Sequence, residues 1–247
     1  MSTREIYIVL TGPQGARNIG AVGRAMMNFG VSALRLVRPE ADHLGDEARH
    51  MAVRAGRVLT EARVFDDLAA AVADCHLVFG TTRRFGKYRE DFLSPRQAAI
   101  LVGEQAMAVR IALVFGREDS GLTTAELDCC HHLLTIPTSA ALPSMNLSHA
   151  VAICLYEMFS RLPTTASPGQ AGVSTPAAAA GVAAMFAHMR QSLAEIGFLN
   201  PKNPDHILRA FRRMFGRAGL STWEVTVLQG LWSRLDWLNN ELRKGKN

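Results

Sequence analysis

Over its first 160 residues the chain alternates short apolar runs with segments of helical spacing, joined by loops. The runs fall at residues 5–11, 33–37, 62–65, 76–80, 110–115 and 132–136. Between them, Ile19, Val22, Met26 and Phe29 recur at helical intervals and stop at Gly30. Further helices are expected over residues 46–59, which carry His50, Arg54 and Arg57, and from Asp66-Asp67 to Ala73. Pro95 starts another, and Thr124 caps one that runs through Leu127. Short apolar strands alternating with helices predict an α/β fold, a mostly parallel sheet covered on both faces.

The last strand empties into Ile136-Pro137-Thr138-Ser139-Ala140-Ala141-Leu142-Pro143-Ser144-Met145-Asn146-Leu147-Ser148-His149. Neither proline has an N–H to donate, so this loop cannot extend the sheet. Open α/β sheets bind ligands beyond the C-terminal ends of their strands, which makes the loop a candidate cofactor edge. A turn in which Ser144 or Asn146 caps the following apolar helix, 147–159, accounts for the same residues equally well.

With 247 residues, 48% of them hydrophobic, the chain has enough material for one large domain, or for one domain plus an appendage. No apolar run approaches the roughly 18 to 20 residues that span a bilayer, and Met-Ser-Thr-Arg-Glu lacks the apolar core of a signal peptide. A cytoplasmic protein with no membrane association is expected. Cys75, Cys129, Cys130 and Cys154 show no CxxC spacing and are read as reduced thiols. Cys129-Cys130-His131-His132 lacks the usual ligand spacers, so no metal is expected. A G-x-G-x-x-G fingerprint and a Walker lysine are also missing, which weakens the case for other nucleotide folds.

Charge divides the chain. Lys plus Arg and Asp plus Glu number 17 and 17 through residue 164, and 10 and 5 from 165 onward. Residues 163–181 contain no charged side chain and read as a flexible linker. Beyond it, residues 182–247 read as a basic extension of three helices. The first carries Val182, Met185, Phe186, Met189, Leu193 and Ile196, and the second starts at Pro204 with Arg209, Arg212, Arg213 and Arg217 off its apolar face. The third is announced by the capping box Ser221-Thr222-Trp223-Glu224. A neutral body with a basic tail suggests a polyanionic partner, a solvated basic face being the alternative. Arg83-Arg84-Phe85-Gly86-Lys87-Tyr88-Arg89 mixes cations with rings that could stack on unpaired bases, or forms a solvated loop.

Three loops form a set: Asn18-Ile19-Gly20-Ala21-Val22-Gly23-Arg24, Phe115-Gly116-Arg117-Glu118, and the stretch from Ile136-Pro137 to Ser144-Met145-Asn146-Leu147-Ser148. In this order and spacing they resemble the three motifs of the SpoU-type (TrmH-like) branch of the SPOUT RNA methyltransferases. The resemblance spans about residues 5 to 160. In the tail, Ile196-Gly197-Phe198 and a helix with Leu208, Arg213, Phe215, Arg217 and Ala218 resemble the extension of the bacterial subgroup that methylates the first nucleotide of the tRNA anticodon loop, position 32.

The resemblance implies a deep C-terminal trefoil knot, S-adenosylmethionine as cofactor, a homodimer, and 2′-O-methylation of tRNA. A catalytically inactive RNA-binding or assembly protein on the same scaffold, or a methyltransferase of another RNA such as rRNA, are the alternatives. Carried over, Thr81, Thr82, Arg83, Gly116, Ile136, Ser144, Met145 and Asn146 would line the cofactor pocket. Arg24, Asn18, Glu118, Ser144 and Asn146 would serve catalysis, with Glu118 holding arginines. RNA would meet Arg24, Arg83, Arg84, Lys87, Arg89, Arg209, Arg212 and Arg213. The family's arginine has been proposed as a base, but guanidinium stays protonated, so Arg24 is better read as a phosphate clamp or a stabiliser of developing alkoxide.

Overall fold

Strand β1 (Glu5–Thr11) is the axis of a seven-stranded sheet in which every pairing is parallel. The others are β2 (Ala33–Val37), β3 (Arg63–Phe65), β4 (Leu77–Thr81), β5 (Phe92–Leu93), β6 (Arg110–Phe115) and β7 (His132–Leu134), in the order β3-β2-β1-β6-β4-β7-β5. The computed structural model describes residues 5–83, 92–105, 109–161 and 176–244. Chain contacts divide it into two units, Met1–Val173 and Ser174–Asn247.

In the first unit β6 is inserted between β1 and β4: Leu113 pairs with Ile8 on one side and Phe79 on the other. Ile8, Leu10, Phe79, Leu113 and Phe115 are fully buried, as continuous apolar strands beneath two helical layers should be. Helices α1 (Ala16–Asn28), α2 (Asp46–Ala52), α3 (Gly56–Thr60), α4 (Leu68–Val72), α5 (Pro95–Gly103), α6 (Thr124–Asp128) and α7 (Leu147–Arg161) cover it. Gly20 of α1 meets α2 at backbone contact: a Cβ there would lie 2.1 Å from the Ala48 carbonyl oxygen. Gly23 faces Val58 and Leu59 of α3.

The helix expected over 46–59 is therefore two helices. The chain breaks at Val53, whose φ of +53° is rare for a β-branched residue, and a 3-10 turn spans Val53–Ala55. The break lets α2 meet α1 at Gly20 and α3 meet it at Gly23. Ala48, Ala52, Ala55 and Leu59 are all buried and keep helical spacing across it, so periodicity reads straight through. Other boundaries move by one or two residues: β3 starts at Arg63, β4 runs from Leu77 to Thr81, and α7 reaches Arg161. Thr123, not Thr124, caps α6, in a capping box with Glu126. β7 ends at Leu134 rather than Ile136: the Thr135 amide still donates to Leu93, and Pro137 then forbids a ladder.

Among the described residues of this unit two charged side chains are buried, Arg35 and Glu126. Arg35 on β2 is 3% exposed and forks onto Asp74 at 2.6 and 3.0 Å, with the Tyr7 ring 3.7 Å from its Cζ. The hydrogen bonds from Arg35 hold the Asp74 carboxyl below its usual range. A carboxylate depressed by folding stabilises above its unfolded pKa and loses that contribution as pH falls through the folded value. Asp74→Asn is thus expected to cost about 2 kcal/mol at pH 7, discounted because Asp74 is partly exposed. The gap from wild type should narrow once the medium is more acidic than about pH 4. Urea denaturation of both proteins at pH 7 and pH 3 checks this.

The second unit is all-helical: α8 (Ala179–Glu195), α9 (Asp205–Ala218) and α10 (Thr222–Lys244). Met185, Phe186, Met189, Leu193, Leu208, Val225 and Trp232 form its own core. The capping box is present, with the Glu224 amide donating to Ser221 Oγ (3.2 Å) and the Ser221 amide to Glu224 Oε2 (2.7 Å). Gly219, at φ +66°, ends α9 in the left-handed conformation that glycine adopts without strain. No helix among the described residues is long and apolar enough to cross a membrane.

Candidate active site

The ends of β4, β6 and β7 and the start of α7 surround a cleft holding about 860 Å³ of space, counting its open mouth. Thr81 and Thr82 enter it from the end and exit of β4, Phe115 from the end of β6 with Gly116 and Glu118 from its exit loop, and Ile136, Ser144 and Met145 from the long loop. Arg83 stands on its exposed rim. Seven of the eight residues proposed from sequence to line a cofactor pocket thus share one cleft. Asn146 does not line it; its side chain turns to α1 instead.

That turn joins the three sequence motifs. Asn146 Nδ2 donates to Asn18 Oδ1 at 3.0 Å, and Asn18 Nδ2 donates to Glu118 Oε1 at 2.9 Å. Glu118 also accepts from the amides of Gln14 (2.9 Å) and Gly15 (3.1 Å). Gly15 is the N-cap of α1 and has no side chain to cap it, so a carboxylate from another loop does so, where the helix dipole favours negative charge. At the far end, Asn146 Oδ1 accepts from the Ser148 amide (2.9 Å) and hydroxyl (2.7 Å), capping α7. The capping and site readings of Glu118 and Asn146 therefore coincide in one hydrogen-bonded chain.

Glu118 was expected to hold arginines; among the described residues its partners are two backbone amides and a side-chain amide. The arginine next to it, Arg117, pairs with Glu126 through two 3.1 Å bonds, Nη1 to Oε2 and Nη2 to Oε1. Burial works to raise the Glu126 carboxyl, but hydrogen bonds from Arg117 and Thr123 outweigh it and leave the group below its usual range. Sequence reasoning passed over Arg117 and Glu126, because nothing in their spacing says that a side chain nine residues on will turn back. It also passed over Leu122, Leu134, Thr138, Pro143 and Leu147 as lining residues, although most of them adjoin the motifs.

Arg24 lies apart from this chain. It is exposed on α1, six residues from Asn18 and thus about 120° round the helix, and has no hydrogen-bond or ion-pair partner among the described residues. Arg84, Lys87 and Arg89 lie outside the described residues. Arg209, Arg212 and Arg213 are half-buried on α9, and Arg212 lies over the Phe186 ring at 5.4 Å, so part of its role is packing within the second unit. In the Cys129–His132 run, burial raises the Cys130 thiol and lowers His131 and His132 to about 4. His132 stacks on Phe79 with centroids 5.3 Å apart. Among the described residues no cluster of His, Cys, Asp and Glu could hold a metal ion.

The chain is 35% identical over 238 residues to the tRNA (cytidine/uridine/adenosine-2′-O-)-methyltransferase TrmJ of Pseudomonas aeruginosa (strain UCBPP-PA14), covering 92% of this chain and 91% of that protein. It is 32% identical to the tRNA (cytidine/uridine-2′-O-)-methyltransferase TrmJ of Cronobacter sakazakii, covering 96% and 98%. The crystal structure of TrmJ from Z. mobilis ZM4 superposes with a TM-score of 0.79 at 33% identity, covering 93% and 98%. The C-terminal domain of tRNA methyltransferase TrmJ is matched by residues 180–246. Residues 5–156, which hold the sheet, the cleft and all three motifs, match the SpoU methylase model, and the chain belongs to the SpoU rRNA Methylase family.

Proposed function

We propose that this protein is an S-adenosylmethionine-dependent ribose 2′-O-methyltransferase of tRNA, acting at position 32 of the anticodon loop. The observation that carries the reading is the Glu118–Asn18–Asn146 chain beside the cleft, since it brings three separated motifs to one place. Relatives named as tRNA 2′-O-methyltransferases over nearly the whole length support it.

The cleft suits the cofactor in its donors and its walls. Ile136 and the edge of Leu147 offer apolar surface, and the amides of Ile136 and Met145 have no partner among the described residues, leaving them free to read a purine. When bound, S-adenosylmethionine supplies an electrophilic sulfonium methyl. The chain's own residues position the acceptor. Asn146, locked from both ends, orients the ribose, and Ser144 contacts ribose or cofactor. Arg24 holds a phosphate or opposes the charge that grows on the 2′-oxygen, and keeps its own proton throughout. Alignment at near-attack distance supplies much of the rate.

In this reading the loop of residues 135–146 is the last pass of a trefoil knot, supported by the insertion of β6 between β1 and β4. A second copy packs on α1 and α7, where Phe29, Tyr156 and Phe159 form an aromatic group whose Tyr156 and Phe159 are 57% and 61% exposed. Residues 1–162 form the catalytic domain; the extension, which contacts tRNA through its excess of arginines, was expected from residue 182, but α8 already begins at Ala179 and Ala177 is in its core. The enzyme works in the cytoplasm, without a metal.

Mass spectrometry of tRNA incubated with protein and S-adenosylmethionine tests the reading. The wild type is expected to yield one 2′-O-methylated nucleoside at position 32, and Arg24→Ala and Asn146→Ala to reduce it at least about 100-fold. Tight tRNA binding with no methylated nucleoside would instead identify an RNA-binding protein.

A further inference from the structure

Arg117 belongs to the middle loop but not to the chain that joins the motifs, and its geometry is demanding. The guanidinium forks onto Glu126 at 3.1 and 3.1 Å and reaches the Gly121 carbonyl at 3.5 Å. Glu126 is fixed in turn, because its carboxylate accepts the Thr123 amide at 2.7 Å in the capping box of α6. On its way the Arg117 side chain crosses Gly12 in the exit of β1. A Cβ on Gly12 would stand 2.8 Å from Arg117 Nε, and Gly12 itself adopts φ +57°. The backbones of Arg117 and Gly121 close the loop, with the Gly121 amide donating to the Arg117 carbonyl at 2.9 Å. One side chain therefore fastens the β6 exit loop to α6 while resting on the β1 exit loop. The residue that follows it is Glu118, whose carboxylate must reach Gln14, Gly15 and Asn18 together.

We propose that Arg117 is a positioning residue for methyl transfer: clamped by Glu126 and seated on Gly12, it sets the place of Glu118 and through it the Asn18–Asn146 pair. This rests on the methyltransferase reading above. A planar fork on a carboxylate defines both distance and direction, which an ammonium cannot do. Arg117 also lines the cleft, so the rival explanation is direct contact with cofactor or RNA through its charge.

Arg117→Lys, Glu126→Gln and the double variant separate the two. Positioning through the fork predicts that each single variant lowers kcat by about 10- to 100-fold with KM for S-adenosylmethionine changed less than about threefold. The double variant should be no worse than the poorer single, because both break one unit. Thermal unfolding identifies any variant that has simply lost its fold, and the smaller Glu126→Gln change then carries the test. A normal rate in Glu126→Gln beside a slow Arg117→Lys would overturn the proposal in favour of direct contact. Amide hydrogen exchange of Gln14 and Gly15, read on the same samples, is expected to quicken about tenfold or more in both variants as Glu118 loosens. Unchanged exchange would overturn the proposal whatever the kinetics. If the wild type methylates no tRNA, the functional reading fails, and the exchange rates still decide whether Arg117 places Glu118.

Discussion

Glu118→Ala should slow tRNA methylation by at least about 100-fold, the scale on which displaced catalytic geometry is felt. Three donors converge on this carboxylate: the Gln14 and Gly15 amides and Asn18 Nδ2. It fixes which way the Asn18 amide faces, since Nδ2 must point at Glu118 and Oδ1 is then left for Asn146. Alanine frees Asn18 to flip, and Asn146 then meets either a donor or nothing. Glu118→Gln should fall between, at about tenfold, because one oxygen remains to accept and an amide now faces a donor. Single-turnover methylation with saturating cofactor measures both, with thermal unfolding run alongside. A Glu118→Ala enzyme as fast as wild type would remove the hydrogen-bonded chain from the catalytic machinery.

Gly116→Ala should act on binding and on stability together. A Cβ at Gly116 would lie 2.2 Å from the Gly121 carbonyl carbon and 2.3 Å from the Leu122 nitrogen, both backbone atoms that cannot swing away. The loop from 116 to 122 must therefore open, and with it one wall of the cleft. S-adenosylmethionine affinity by titration calorimetry is expected to fall at least about 100-fold, and the melting temperature by about 5 °C or more, the scale of a local overpacking penalty. Gly230→Ala is the control: a Cβ there meets nothing within 4 Å, and cofactor binding should not change. Wild-type affinity in Gly116→Ala would mean that the loop does not form the cofactor wall. The need for glycine also changes meaning here. Sequence reasoning placed Gly116 at the cofactor, and it does line the cleft, but the close approach that excludes a side chain is the loop's own return.

Much of this architecture was legible in the sequence because it rests on local signals. Continuous apolar runs placed β1, β2 and β6 to the residue, and the Ser221-Thr222-Trp223-Glu224 box placed the start of α10. β5 was not legible: two residues carry no periodicity, and Phe92 and Leu93 are a strand only because β7 lies beside them. The break at Val53 was hidden because the buried alanines keep their spacing through it. In the candidate site, motif order pointed to the right loops, yet the partners of each side chain were decided by the fold. Glu118 meets residues about 100 positions away, and Arg117 meets Glu126 instead of a ligand. Arg212, read as one of several cations on a polar face, is turned onto Phe186 by the core of its own unit.

The place of β6 in the sheet also bears on how this chain is made. Tyr7 finds its partner Ala33 early in synthesis, but on its other side Glu5 waits for Arg110. Until residues 110–115 emerge, the inner edges of β1 and β4 both remain open, and both are apolar: Ile8, Val9 and Leu10 on one, Val78 and Phe79 on the other. Open edges of this kind recruit foreign strands. The sheet of a growing chain is thus joined at its middle late, by a strand that must slot between two already made, before β7 does the same between β4 and β5. A polypeptide that stops short of residue 110 would keep that gap and carry an aggregation-prone seam through its centre.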